Sequence, residues 1–197
     1  MDFALSPKTT EYAAKLQAFM DSEVFPAEAV YHQQREQLIA QGKPHALPAV
    51  VEELKLKAKA LGLWNLFLPH YGHGLSVTDY ATLAEITGWS PEIAPEAINC
   101  AAPDTGNMEL LDMFATDEQK KQWLEPLLEG TIRSAFAMTE PDVASSDARN
   151  IRTSIATEGN DFVINGTKWW TTGAMDERCK ILIVMGKTNP EADDHQQ

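Results

Sequence analysis

The sequence predicts an α+β protein, with an all-α domain over residues 1–130 and a β-domain over residues 131–197. Three observations predict it. Up to Gly130, apolar residues recur at helical spacing between recognisable caps. From Thr131 the apolar period falls to two, the period of a strand. Turn signals then separate the short segments: Glu158-Gly159-Asn160-Asp161 reads as a hairpin turn, and Asn165-Gly166 as a tight turn.

The helices follow in order. Ser6-Pro7 is an N-cap followed by proline at the first helical position. Tyr12, Leu16, Phe19 and Met20 form a stripe that runs towards Phe25, where Pro26 is expected to interrupt or kink it. A polar helix continues from Glu28 to Ala40, and Gln41-Gly42-Lys43-Pro44 breaks it. Pro48 to Leu61 is a second pattern. Val50, Val51, Leu54, Ala58 and Leu61 make its apolar face, with Lys55 and its charged neighbours off it, and Gly62 closes it. Ser76 caps a helix carrying Tyr80, Leu83 and Ile86, and Ser90-Pro91-Glu92 starts another. Asn107 to Phe114 is a short helix. Thr116-Asp117-Glu118-Gln119 is a capping box opening a helix that Gly130 ends.

In the β-domain, Ile132–Met138, Ile151–Thr157, Phe162–Ile164, Lys168–Thr172 and Ile181–Met185 read as strands of an antiparallel sheet. The polar tail from Asn189 to Gln197 reads as disordered. A sheet ending soon after Met185 has unpaired edges, so the chain is expected to stop within a domain.

Composition excludes several classes. Hydrophobic residues make up 44% and charged residues 23% of the 197, an ordinary globular balance. A net charge of −13 argues against binding nucleic acid or anionic membranes. No apolar run is long enough to span a bilayer, and the N-terminus lacks a basic start, so the cytoplasm is the default compartment, with mitochondrion or peroxisome the alternatives in a eukaryote. Cys100 and Cys179 form no CxxC pair and read as small core residues. His70 and His73 flank a loop and lack a third metal ligand at suitable spacing.

Two segments carry chemistry. Phe136-Ala137-Met138-Thr139-Glu140-Pro141 leaves a strand and enters Asp142-Val143-Ala144-Ser145-Ser146-Asp147, a loop whose amides and hydroxyls suit a polar cofactor. Read alone, it is equally a strand followed by a Ser-rich turn. The second segment is Ile164-Asn165-Gly166-Thr167-Lys168-Trp169-Trp170-Thr171-Thr172. An indole beside hydroxyls suits a flat heteroaromatic ring, and strand alternation puts Trp170 and Thr172 on one face. A core tryptophan in a sheet is the plainer alternative.

Together, in this order, the segments resemble the acyl-CoA dehydrogenase family, whose pattern is T-E-P, a small-residue loop ending S-D, I-N-G-x-K and then W-x-T. Here these are Thr139-Glu140-Pro141, Ser146-Asp147, Ile164-Asn165-Gly166-Thr167-Lys168 and Trp170-Thr171-Thr172. Gly62-Leu63-Trp64 and Thr116-Asp117-Glu118-Gln119-Lys120 also look like family signatures.

The resemblance implies an incomplete antiparallel β-barrel after the helical domain. It implies FAD as cofactor, with Phe136, Met138, Thr139, Ser145, Ser146, Trp170, Thr171 and Thr172 around it. It also implies an acyl-CoA substrate approached by Ser146, electron-transfer flavoprotein as electron acceptor, and a homo-oligomer. The loop is one residue longer than the family's T-E-P-x-x-G-S-D and lacks its glycine, which leaves the division of work between Ser145 and Ser146 open. This resembles a branch joined to a phosphotransferase-like domain in some eukaryotes and stand-alone in many bacteria. The family's α-proton base is a glutamate of a C-terminal helical domain, so no carboxylate here is assigned that role. The expectation is a truncated chain that is inactive alone; the alternatives are a non-catalytic fragment working through protein contacts, and the same fold running oxidase chemistry.

Overall fold

A computed structural model describes residues 4–69 and 73–193. The chain divides into two compact units, Met1–Thr131 and Ile132–Gln197. His70, Tyr71, Gly72 and the last four residues of the tail lie outside the described residues.

The first unit is helical. α1 (Pro7–Phe19) starts at Ser6, whose hydroxyl accepts from the Thr9 amide. A π turn over Met20–Val24 joins it to α2 (Phe25–Ala40) without a break. Pro26 therefore does not interrupt the helix. Its missing N–H and bulky ring are absorbed by widening the turn before it, where the Phe25 amide bonds back five residues to Met20. The same device recurs at Pro126. α7 (Asp117–Gln119) passes through a π turn (Lys120–Leu124) into α8 (Glu125–Glu129), and the Glu125 amide reaches the Lys120 carbonyl.

α3 (Ala49–Ala60) buries Val50, Val51, Leu54 and Ala58. Two details differ from the sequence expectation. Leu61 is 49% exposed because the helix stops at Ala60, and as C-cap it has left the stripe. Lys55 is only 3% exposed, because it lies four residues after Val51 on the buried face. Its ammonium is paired with Glu96 at 2.7 Å and Glu52 at 3.0 Å, which is what permits a buried cation.

α4 (Val77–Thr87) begins in a capping box between Ser76 and Asp79. The Asp79 carboxylate also accepts from Ser6 at 2.9 Å and from the Thr9 hydroxyl, so one side chain ties together the starts of α1 and α4. Hydrogen bonds from Ser76 first, then from Thr9 and Ser6, hold its pKa well below the usual carboxylate range. Ser90-Pro91-Glu92 starts only turns, followed by the single turn α5 (Ala94–Ala97). α6 (Asp104–Phe114) begins three residues earlier than expected. The Thr116–Gln119 capping box is present in both directions.

Asn65 and Asn99 both take positive φ, 56° and 55°. The Asn99 amide donates to Asn65 Oδ1 at 2.6 Å and to the Leu127 carbonyl at 2.9 Å. Trp64 Nε1 and Asn65 Nδ2 donate to the Leu128 carbonyl. The Leu127 and Leu128 carbonyls at the end of α8 are thus satisfied by side chains, with the Gly130 amide also donating to Leu127. Gly130 closes this corner at φ 73°, where a Cβ would lie 2.8 Å from the Trp64 ring.

Among its described residues the second unit holds two small sheets. β1 (Arg133–Ala137) pairs in parallel with β4 (Cys179–Val184), with a register irregularity between Arg133 and Ser134. β2 (Ser154–Glu158) and β3 (Asp161–Asn165) form an antiparallel hairpin turned at Gly159, φ 64°. The expected single antiparallel sheet is therefore corrected: β1 and β4 run the same way, and no barrel is formed among the described residues.

Asn165-Gly166 is not a turn. The hairpin has already turned, and Gly166 is small because Thr153 packs on it; a Cβ there would lie 2.8 Å from the Thr153 Cα. Lys168–Thr172 is not a strand either. Trp170 has φ 53°, which breaks the extended run, and turns follow through Gly173 at φ 86°.

Asn99→Ala should lower the stability of the helical unit by roughly 2–3 kcal/mol, since it removes the donor to the buried Asn65 Oδ1 and one of the two donors to the Leu127 carbonyl, and leaves at positive φ a residue without Asn's local bonding. Urea unfolding followed by far-ultraviolet circular dichroism measures it, and an unchanged midpoint contradicts the capping role.

Candidate functional site

The end of β1 positions the first half of the predicted site. Alternation buries Ala135 and Ala137 and leaves Phe136 38% exposed; Met138 and Thr139 are half-buried. The second half meets it through two bonds. The Trp169 amide donates to the Thr139 carbonyl at 3.0 Å. Lys168 Nζ donates to the Met138 carbonyl at 2.8 Å. Residues separated by about thirty positions in sequence are thereby side by side.

The face assignment for Trp170 and Thr172 fails with the strand that carried it. Trp170 is instead held in left-handed backbone and is 78% exposed, with its ring 5.6 Å from that of Trp169. Among the described residues, the hydroxyls of Thr139, Thr171 and Thr172 make no hydrogen bond within the protein.

The loop after Thr139 separates the two serines. Ser145 is buried, and its hydroxyl accepts from the Glu140 amide at 2.8 Å and lies 3.2 Å from the Val143 carbonyl. That hydroxyl is spent inside the loop. Ser146 is exposed. Asp147 caps the short turn Ala148–Asn150 through the Arg149 amide and pairs with the Arg149 guanidinium.

Beneath both halves lies a network that the sequence motif reading placed only as scaffold. The Glu140 carboxylate accepts from Arg152 N at 2.7 Å, Thr153 N at 2.9 Å, Thr153 Oγ1 at 2.6 Å and Lys168 Nζ at 2.9 Å. Burial opposes its ionisation, but the donors from Thr153, Lys168 and Arg152 outweigh it and bring the pKa down to about 2. A carboxylate so held is a poor proton acceptor near neutral pH, which excludes Glu140 as a general base. Lys168 and Thr153 were missed as partners. The available signal was an acid in T-E-P and a base in I-N-G-x-K, each flanked by residues expected to be partly buried.

The helical unit contains a cavity of about 340 Å3 lined by Phe67, Val77, Tyr80, Cys100, Thr105 and Glu109. Burial raises the Cys100 thiol to about 11 and pushes the Tyr80 phenol up as well, so both are neutral. The cavity wall offers aromatic and sulfur surface with a carboxylate at one side. His73 stacks 5.1 Å from the Tyr12 ring, and burial followed by Lys8 and Lys15 lowers its pKa.

Comparison with known proteins places this arrangement. The profile for "Acyl-CoA dehydrogenase, N-terminal domain" matches residues 6–131, and that for "Acyl-CoA dehydrogenase, middle domain" matches residues 135–197. The chain belongs to the acyl-CoA dehydrogenase family. It is 62% identical over 197 residues to the Mycobacterium tuberculosis protein named "Probable acyl-CoA dehydrogenase FadE2", covering all of this chain and 48% of that protein. It is 52% identical to acyl-CoA dehydrogenase family member 10 of Mus musculus, covering 98% of this chain and 18% of that protein. The chain thus spans about half, or less, of the curated relatives it matches. The solved structure of a candidate acyl-CoA dehydrogenase from Mycobacterium abscessus superposes with a TM-score of 0.88 at 48% identity, covering 96% of this chain and 48% of that one. A glutaryl-CoA dehydrogenase from Mycobacterium smegmatis in complex with FADH2 shares the fold, with a TM-score of 0.62 at 24% identity, covering 85% of this chain and 39% of that one.

Because Glu140 titrates lower in the folded protein than its ordinary 4.5, its stabilising effect is full above that pH. It is lost as pH falls from 4.5 towards about 2. The protection factors of the Arg152, Thr153 and Trp169 amides, measured against their intrinsic exchange rates at each pH, should fall over that window. In Glu140→Gln those amides should exchange faster at neutral pH and lose the dependence; an unaltered profile in the variant contradicts the assignment.

Proposed function

We propose that this chain forms part of a flavin-dependent acyl-CoA dehydrogenase, supplying the helices that line the acyl group and one edge of the FAD site. The observation that carries this reading is the junction of Met138-Thr139 with Trp169–Thr172, which sets free hydroxyls beside an exposed indole. An exposed aromatic side chain beside hydroxyls not engaged within the protein offers a stacking face and polar partners to a flat, polar-edged ring.

In this reading Thr139 and Thr172 donate to the polar edge of the isoalloxazine, Trp170 packs against the ring, and Phe136 and Met138 supply apolar contact. Thr171 adds a hydroxyl at the same edge. Ser146, exposed where Ser145 is engaged, faces the cofactor and the thioester arm. Ser145 acts by shaping the loop. FAD held by these residues would supply the redox chemistry, a hydride acceptor for the α,β-dehydrogenation of an acyl-CoA. The cavity beside Tyr80 and Cys100 receives the acyl chain. The base for the α-proton belongs to the part of the longer relatives that this chain does not span, since Glu140 is already committed. Electron-transfer flavoprotein is the electron acceptor, and the working enzyme is a homo-oligomer.

Titration of the chain with FAD, followed by quenching of flavin fluorescence, tests the reading. Binding is expected, and Trp170→Ala should weaken it roughly tenfold, the scale of one aromatic contact. Absence of binding, or equal binding by the variant, contradicts it.

A further inference from the structure

We infer that Lys168, held by Glu140, is the positioning residue of the flavin edge: its ammonium fixes the Met138 carbonyl and the Trp169–Thr172 segment as one unit. This rests on the flavin reading above and adds a role for a pair that acts through the Met138 carbonyl and the backbone of the tryptophan segment rather than by touching the ring.

The need for such a residue follows from the backbone. Residues 166–171 belong to no strand, so no sheet ladder places Trp170 next to Thr139. Two bonds do it: Trp169 N to the Thr139 carbonyl, and Lys168 Nζ to the Met138 carbonyl. Left-handed backbone at Trp170 is an unfavourable conformation for a bulky residue, and it persists only where its flanks are pinned. The Lys168 side chain is 12% exposed and that of Glu140 5%, so the ammonium has little freedom to leave.

Glu140 explains why a lysine can do this. Its remaining acceptor capacity is taken by Arg152 N, Thr153 N and Thr153 Oγ1, which anchor it to the approach to β2. The carboxylate therefore cannot follow Lys168 outward, and it balances the cation beneath the site. Thr153 is in turn fenced by Gly166 and bonded through its carbonyl to the Lys187 amide at 2.8 Å.

The test compares FAD affinity and the visible circular dichroism of bound flavin among the unsubstituted chain, Lys168→Met, Lys168→Arg and Ile151→Ala. Ile151 is a buried residue of the same unit that contributes nothing to the ring site, so its truncation reports loss of stability alone. Lys168→Met should weaken FAD binding at least tenfold and alter the flavin dichroism. Lys168→Arg, which keeps a cation for Glu140 with a different reach to the Met138 carbonyl, should fall between. Ile151→Ala should lower the melting temperature with FAD affinity held within about twofold. Loss of affinity in step with stability across all three variants overturns the positioning role, as does unchanged affinity in both Lys168 variants. If Lys168→Met does not fold, Lys168→Arg decides alone. Should the unsubstituted chain take up no FAD, the flavin reading itself falls and the inference with it.

Discussion

The ion pair between Glu140 and Lys168 is the constraint on which the β unit depends. Three separated stretches of chain meet at one carboxylate: the loop leaving β1, the approach to β2, and the segment carrying the tryptophans. None of these contacts is part of a sheet ladder. The two sheets are two-stranded, and such pairs are marginal on their own. A side-chain clamp with hydrogen bonds to a charged group, each contributing about 1.5–3 kcal/mol, does what a wider sheet would otherwise do.

The helical unit relies on a different economy of polar groups. Asp79 joins two helix starts, Asn99 and Asn65 close the end of α8, and Lys55 is neutralised by two glutamates. Each satisfies groups that burial would otherwise leave unpaired. The π turns before Pro26 and Pro126 belong to the same logic. Widening one turn loses little and lets the buried stripes of Phe19-Met20-Val24 and Leu124-Leu127 continue across a residue that lacks a donor.

Much of this was legible in sequence. Helix starts at Ser6, Ser76 and Thr116 follow from cap chemistry that acts within four residues. The hairpin at Gly159 follows from local turn geometry. What was misread depends on distant partners. Asn165-Gly166 has the composition of a turn, but its glycine answers to Thr153 across the unit. Lys168–Thr172 alternates like a strand, but among the described residues no strand pairs with it, and Trp170 leaves the β region. The parallel partnership of β1 and β4 is invisible to any local period. For the site, the motif marked Thr139, Trp170 and Thr172 as a set, while the pair that brings their segments together is two charged residues whose significance appears only when Glu140 is found buried and Lys168 largely covered against it.

Carboxyl-carbon NMR of Glu140 across an acid titration tests the central claim most directly. The account predicts that the resonance stays at its ionised position well below 4.5 and moves only near pH 2, with the Lys168 ammonium protons protected from exchange over the same range. A midpoint at the ordinary value of 4.5, with freely exchanging Lys168 protons, would mean that the carboxylate is solvated and that something else holds the two halves of the site together.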